Sequence, residues 1–186
     1  MKRQVKEDKV GWLGGVVINS EDGRFVFDPA ATRSMERNAH IFISHAHSDH
    51  TLGFHSNTMK YSTKETRGIY ERLRGTNVRN WGPLEYGRRR RIGDTDILPL
   101  NAGHMLGSAQ FKISTRDHTY VYSGDINCVD TLTTSAAETP ECDTLIIEAT
   151  YGDPGFIFPR RERTYASIVN WALREVKQGR TPTFHV

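Results

Sequence analysis

The sequence predicts an α/β protein built on layered β-sheet, with its chemistry gathered along one rim. Three observations carry this. Apolar runs of strand length recur through the first 150 residues. Polar residues of metal-binding type follow several of those runs directly. A long apolar stripe at helical spacing appears only near the end of the chain.

The elements follow in order. Val16-Val17-Ile18 and Phe25-Val26-Phe27 flank a Ser20-Glu21-Asp22-Gly23 turn, which predicts a hairpin ending at Asp28-Pro29. Ile41-Phe42-Ile43-Ser44 reads as a buried strand. Ser62-Thr63-Lys64-Glu65 has capping-box spacing and predicts a helix through about Leu73. Ile92 to Leu100 reads as one strand leading to Gly103-His104. Phe111–Ser114 and Thr119–Tyr122 form a second predicted hairpin, closing on Ser123-Gly124-Asp125. Thr144-Leu145-Ile146-Ile147 reads as a buried strand ending at Glu148. Tyr165, Ile168, Val169, Ala172, Leu173 and Val176 then recur at helical spacing before Gly179, a stripe expected to pack in a core. Thr183-Phe184-His185-Val186 looks like the start of a further strand. Texture changes near residue 150, so the expected division is 1–150 and 151–186, the front part of a longer protein.

Bulk properties narrow the classes. With 186 residues, 37 % of them hydrophobic and 25 % charged, the chain can bury one core. Only Cys128 and Cys142 are present, which excludes a disulfide framework and suggests buried thiols. No segment is long and apolar enough to span a bilayer, and the basic N-terminus has no apolar stretch behind it. A soluble, cytoplasmic protein is expected, and oligomeric state carries no signal. The net charge is +3, and the run Arg88-Arg89-Arg90-Arg91 reads first as a solvated strand edge and second as a phosphate contact.

The most informative segment is His45-Ala46-His47-Ser48-Asp49-His50. At a strand end, positions i and i+2 point the same way, so His45 and His47 can share one cation. The turn after Ser48 re-aims Asp49 and His50 toward a second. A run of surface histidines is the bland alternative, and it leaves three crowded rings beside a carboxylate unexplained. Asp28, His104, Asp125 and Glu148 also follow strand-like runs, which is how a sheet rim gathers residues distant in sequence.

The ordered set Asp28, His45-x-His47-x-Asp49-His50, Gly103-His104 and Ser123-Gly124-Asp125 resembles the metallo-β-lactamase superfamily. Gly103-His104-Met105-Leu106-Gly107-Ser108-Ala109 and Glu148-Ala149-Thr150-Tyr151-Gly152 resemble its β-CASP branch, nucleases acting on RNA or DNA. Within that branch they are most similar to ribonucleases related to the cleavage-and-polyadenylation endonuclease and its archaeal relatives. DNA-repair members typically carry Asp where this chain has Glu148.

The resemblance implies the N-terminal part of an αββα sandwich, followed by the start of a β-CASP domain. It implies two zinc ions: His45, His47 and His104 on one, Asp49 and His50 on the other, and Asp125 bridging both. Asp28 would fix the metal loop by hydrogen bonds. Asp49 would orient the attacking hydroxide, and Glu148 would act with a histidine on the leaving oxygen. In relatives that histidine, and the last ligand of the second zinc, lie far beyond position 186, so the second set is incomplete in this chain. His55, His118 and His185 read as surface or packing residues. The implied activity is zinc-dependent hydrolysis of single-stranded RNA, with DNA as the alternative substrate. A thioester or lactam hydrolase and a non-catalytic RNA-binding scaffold are the rival readings.

Overall fold

The computed structural model describes residues 9–36 and 38–184, so the basic residues 1–8 and His185 fall outside the described part. The chain divides into two compact units, Met1–Glu148 and Ala149–Val186.

The first unit holds two sheets. Strands β1 (Lys9–Trp12), β2 (Val16–Ser20), β3 (Gly23–Phe27), β4 (Ala39–Phe42), β5 (Lys60–Thr63) and β6 (Trp81–Leu84) lie side by side in that order. The first three pair antiparallel, and β3 through β6 run parallel. The second sheet orders β11 (Thr144–Ile146), β10 (Thr119–Tyr122), β9 (Ala109–Ser114), β8 (Thr95–Asn101) and β7 (Arg90–Ile92). It is antiparallel except where β10 meets β11.

Alternation along each strand builds the layers. Val16, Ile18, Phe25, Phe27 and Phe42 from the first sheet meet Ile97, Phe111, Ile113 and Tyr120 from the second in one apolar cluster. Ile41 and Ile43 point the other way, onto Phe54 and onto Tyr70 of helix α1 (Lys64–Arg74). Apolar residues on both faces explain why Ile41-Phe42-Ile43 is an unbroken apolar run. Complete burial of a side chain such as Phe42 stabilises the fold by about 1.5–3 kcal/mol. Two packed sheets with a helix on one outer face match the expected sandwich in its N-terminal part.

Several expectations needed correction. Strand β4 spans Ala39–Phe42 rather than 41–44, although Ile43 N still donates to Tyr61 O. The expected strand from Ile92 to Leu100 is a hairpin, β7 and β8, broken where Gly93 adopts φ +60°. The helix cap is Thr63, whose hydroxyl accepts from Thr66 N, so the cap sits one residue later than Ser62 predicted and the Glu65 capping box does not form. β11 is an edge strand with Leu145 exposed, not a buried one. Cys128 is exposed and Cys142 half-buried, and both are free.

In the second unit, residues 149–160 form turns and loop, followed by helix α2 (Arg161–Lys177). Its apolar stripe is not buried: Tyr165, Ile168, Val169, Leu173 and Val176 all remain exposed. This unit contains a single helix among its described residues, so the stripe has no second layer to cover it. Thr183 and Phe184 are not in a strand. Among the described residues no helix is long and apolar enough to cross a membrane.

Candidate metal centre

Parallel pairing of β3 and β4 brings their C-terminal ends to one rim, since Phe27 sits opposite Phe42. Asp28 therefore follows β3 beside the segment that leaves β4 toward His45, and Asp28 N donates to Phe42 O at 2.9 Å. The second sheet reaches the same rim, because Ala109 N at the start of β9 donates to Ser44 O at 2.9 Å. β10 and β11 also run parallel, which delivers Asp125 and Glu148 just past their ends.

Two groups of ligand atoms form there. His45 Nε2 lies 3.0 Å from His47 Nδ1, and His104 Nε2 lies 3.1 Å from the same atom. Asp125 Oδ2 is 3.6 Å from His45 Nε2 and 3.7 Å from His104 Nε2. These four residues could hold one cation. Ligands about 2.0–2.2 Å from a tetrahedral zinc stand roughly 3.3–3.6 Å from one another, and the observed separations, 3.0 to 3.7 Å, bracket that range. On the other side His50 Nε2 lies 3.5 Å from Asp125 Oδ1 and 3.6 Å from Asp49 Oδ2. Asp125 thus offers one oxygen to each group. Asp49 is the exposed member, with 77 % of its side chain open to solvent.

Asp28, His45 and His50 also fall within ligand distance of one another, yet Asp28 is otherwise engaged. Its Oδ1 accepts from Ser44 N at 2.7 Å, and its Oδ2 accepts from Ser44 Oγ, His50 Nδ1 and Tyr122 Oη at 2.5, 2.9 and 2.9 Å. Four donors use the capacity of a carboxylate. Asp28 therefore orients the centre rather than offering it an oxygen.

The electrostatics favour a cation. Burial, reinforced by the other three rings, pushes the His45 imidazolium pKa down to about 2. Burial also lowers His104, against the opposing pull of Asp125. Burial alone would lower His50 too, but the hydrogen bond and charge of Asp28, helped by Asp125 and Asp49, outweigh it and raise the value. His45 and His104, held toward the neutral form, aim ring nitrogens with His47 and the Asp125 carboxylate at a common point, a donor set suited to a divalent metal.

His104 stands on a braced turn. Ser108 Oγ accepts from His104 N and Met105 N, each at 3.1 Å. The hydroxyls of Thr63 and Thr66, in the first turn of α1, both donate to Gly107 O, at 2.7 and 2.9 Å. Glu148 N donates to Ser123 Oγ, and the carboxylate of Glu148 bears electrostatically on His104. Every predicted site residue thus gathers at one rim. His55 and His118 lie apart, bonded to Tyr70 and Thr144. Sequence reasoning missed Ser44, Thr63, Thr66 and Tyr122. Only Ser44, the direct neighbour of His45, carried any local signal.

Comparison with known proteins bears on the family and the fold. A family described as "Beta-lactamase superfamily domain" matches residues 15–176. The chain is 30 % identical to "Transcription termination factor FttA" of Methanocaldococcus jannaschii over 89 % of its length and 31 % of that protein's. It is 28 % identical to "RNase J-like protein" of the same organism, covering 75 % of this chain and 38 % of that one. It therefore spans about a third of the length of these relatives. A solved structure, a protein of unknown function from Enterococcus faecalis V583, shares the fold at TM-score 0.55 and 18 % identity, over 66 % of this chain and 44 % of that one. The chain belongs to the metallo-β-lactamase superfamily.

Proposed function

We propose that this chain carries the dinuclear metal centre of a zinc-dependent nuclease that hydrolyses phosphodiester bonds of single-stranded RNA. The observation that carries the reading is the shared carboxylate: Asp125 sends one oxygen toward His45 and His104 and the other toward His50. His45, His47, His104 and Asp125 would hold one cation; Asp49, His50 and Asp125 would hold the second. When bound, the ions supply Lewis acidity toward water and toward the non-bridging phosphate oxygens.

The chain's own groups do the remainder. Asp28 keeps the His50 ring oriented through its Nδ1. Asp49, exposed at the mouth, orients the attacking water through its free oxygen. Glu148, at the rim near His104, takes part in delivering a proton to the departing sugar oxygen. Support for RNA comes from a relative named for RNase activity and one named for transcription termination.

The test incubates the metal-loaded protein with labelled single-stranded RNA and DNA, with and without chelator. Chelator-sensitive cleavage of RNA is expected. Equal cleavage in both conditions overturns the metal mechanism, and cleavage of DNA alone overturns the substrate.

A further inference from the structure

We infer that Tyr122 and Ser44 are positioning residues that make one buried carboxylate set the ring tautomers on both sides of the metal centre. The inference rests on the two-cation reading of the site and deepens it.

The hydrogen bonds allow one consistent arrangement. Asp28 is 6 % exposed and, as a carboxylate, can only accept. Ser44 has a single hydroxyl proton. It points to Asp28 Oδ2, which lies 2.5 Å away. Toward His45 Nδ1, 2.9 Å distant, the Ser44 oxygen can then only accept. His45 therefore carries its proton on Nδ1 and presents a bare Nε2 to His47, His104 and Asp125. His50 is treated alike but without a relay: its Nδ1 proton goes to Asp28 Oδ2, leaving Nε2 toward Asp49 and Asp125.

Asp28 Oδ2 thus directs one ring on each side. Tyr122 keeps it in place. Its ring packs on Phe27 at 5.2 Å, and its hydroxyl donates to that same oxygen at 2.9 Å. Asp28 itself sits at φ +43°, a backbone conformation that relaxes unless the surroundings hold it. The Tyr122 hydroxyl and the two Ser44 donors supply that restraint.

The experiment has a metal-free arm and a metal arm. In the metal-free chain at alkaline pH, where both rings are neutral, long-range ¹H–¹⁵N spectra of the imidazoles are expected to show His45 and His50 as Nδ1–H tautomers. Tyr122→Phe should mix the tautomers of both rings; Ser44→Ala should mix that of His45 alone; Ser44→Thr should restore it. In cobalt(II) titrations, Tyr122→Phe is expected to weaken both sites by about 10- to 100-fold. Ser44→Ala should weaken chiefly the His45 side.

A folded Tyr122→Phe with unchanged tautomers and unchanged cobalt affinity overturns the inference. If that variant fails to fold, the Ser44→Ala and Ser44→Thr pair decides alone: equal tautomer populations in the two overturn it. The tautomers are read without metal or substrate, so a failed nuclease assay and a failed tautomer assignment remain distinct results.

Discussion

His47 Nδ1 lies 3.1 Å from His104 Nε2, although the two residues are 57 apart in sequence. Their chain segments are carried by different sheets, so the contact forms only when the whole sandwich has closed. A cation held there would therefore be linked to folding. Zinc should raise the thermal midpoint of the chain, since a ligand at a hundred times its dissociation constant stabilises by about 2.7 kcal/mol. His45→Ala should abolish binding at the first cluster. Unchanged zinc content in that variant would refute the ligand assignment.

The two sides of the centre should differ in pH response. A proton and a cation compete for the same Nε2. His45 and His104 have lowered values and give up little to protons, whereas His50 is raised and gives up more. As pH falls from about 8 to 6, the His50 side should empty first. Zinc titrations at pH 6, 7 and 8 check this, and simultaneous loss of both ions contradicts it.

Stability of the metal-free chain should follow the same groups. The folded value of His45 falls from 6.5 to about 2, so the unfolded chain binds a proton that the folded chain refuses throughout that window. Its contribution is complete above pH 6.5 and is lost progressively below. Burial of His40 acts in the same direction. His50 acts oppositely: its contribution is present below 6.5 and lost as pH rises through its raised folded value. Burial of His104 adds a third, so with three groups against one the thermal midpoint should drop between pH 7 and 4. A flat profile would show that these burial effects cancel.

The resemblance made the candidate ligands legible because each belongs to a short local pattern directly after an apolar run. The supports were not legible. Thr63, Thr66 and Gly107 meet across 41 to 44 residues, and nothing in Ser62-Thr63-Lys64-Glu65 says that the helix cap also holds the His104 turn. The stripe of α2 failed for another reason. Periodicity identifies an apolar face but not what covers it, and the described part of that unit contains no second layer.

That hidden support gives a further prediction. Gly107 has φ +82°, and a Cβ there would lie 2.6 Å from Glu65 Cβ and 2.7 Å from Thr66 N. Gly107→Ala must strain the backbone or push the turn off α1, at a cost of about 1–3 kcal/mol. His104 is three residues away, so metal affinity at the His45 cluster should fall with the melting temperature. A variant that melts earlier but titrates like the parent would separate the turn from the site.

The run Arg88-Arg89-Arg90-Arg91 invites assignment as the RNA track, and its geometry argues against that. Arg88 pairs with Glu85 at 3.2 Å, Arg89 with Asp96 at 3.8 Å and Arg91 with Asp94 at 3.0 Å, while the Arg90 guanidinium covers the Tyr61 ring at 5.2 Å. Arg90 and Arg91 belong to β7, an edge strand where charge discourages pairing with another chain. Such exposed pairs are worth about 0–1 kcal/mol each, and their acidic partners offset the field that a phosphate would meet. The double variant Arg89→Ala/Arg91→Ala should therefore keep RNA affinity within about 2-fold and leave its salt dependence unchanged, because no released counterion is attributed to these residues. Loss of one or two units of that salt slope would instead place the nucleic acid along β7.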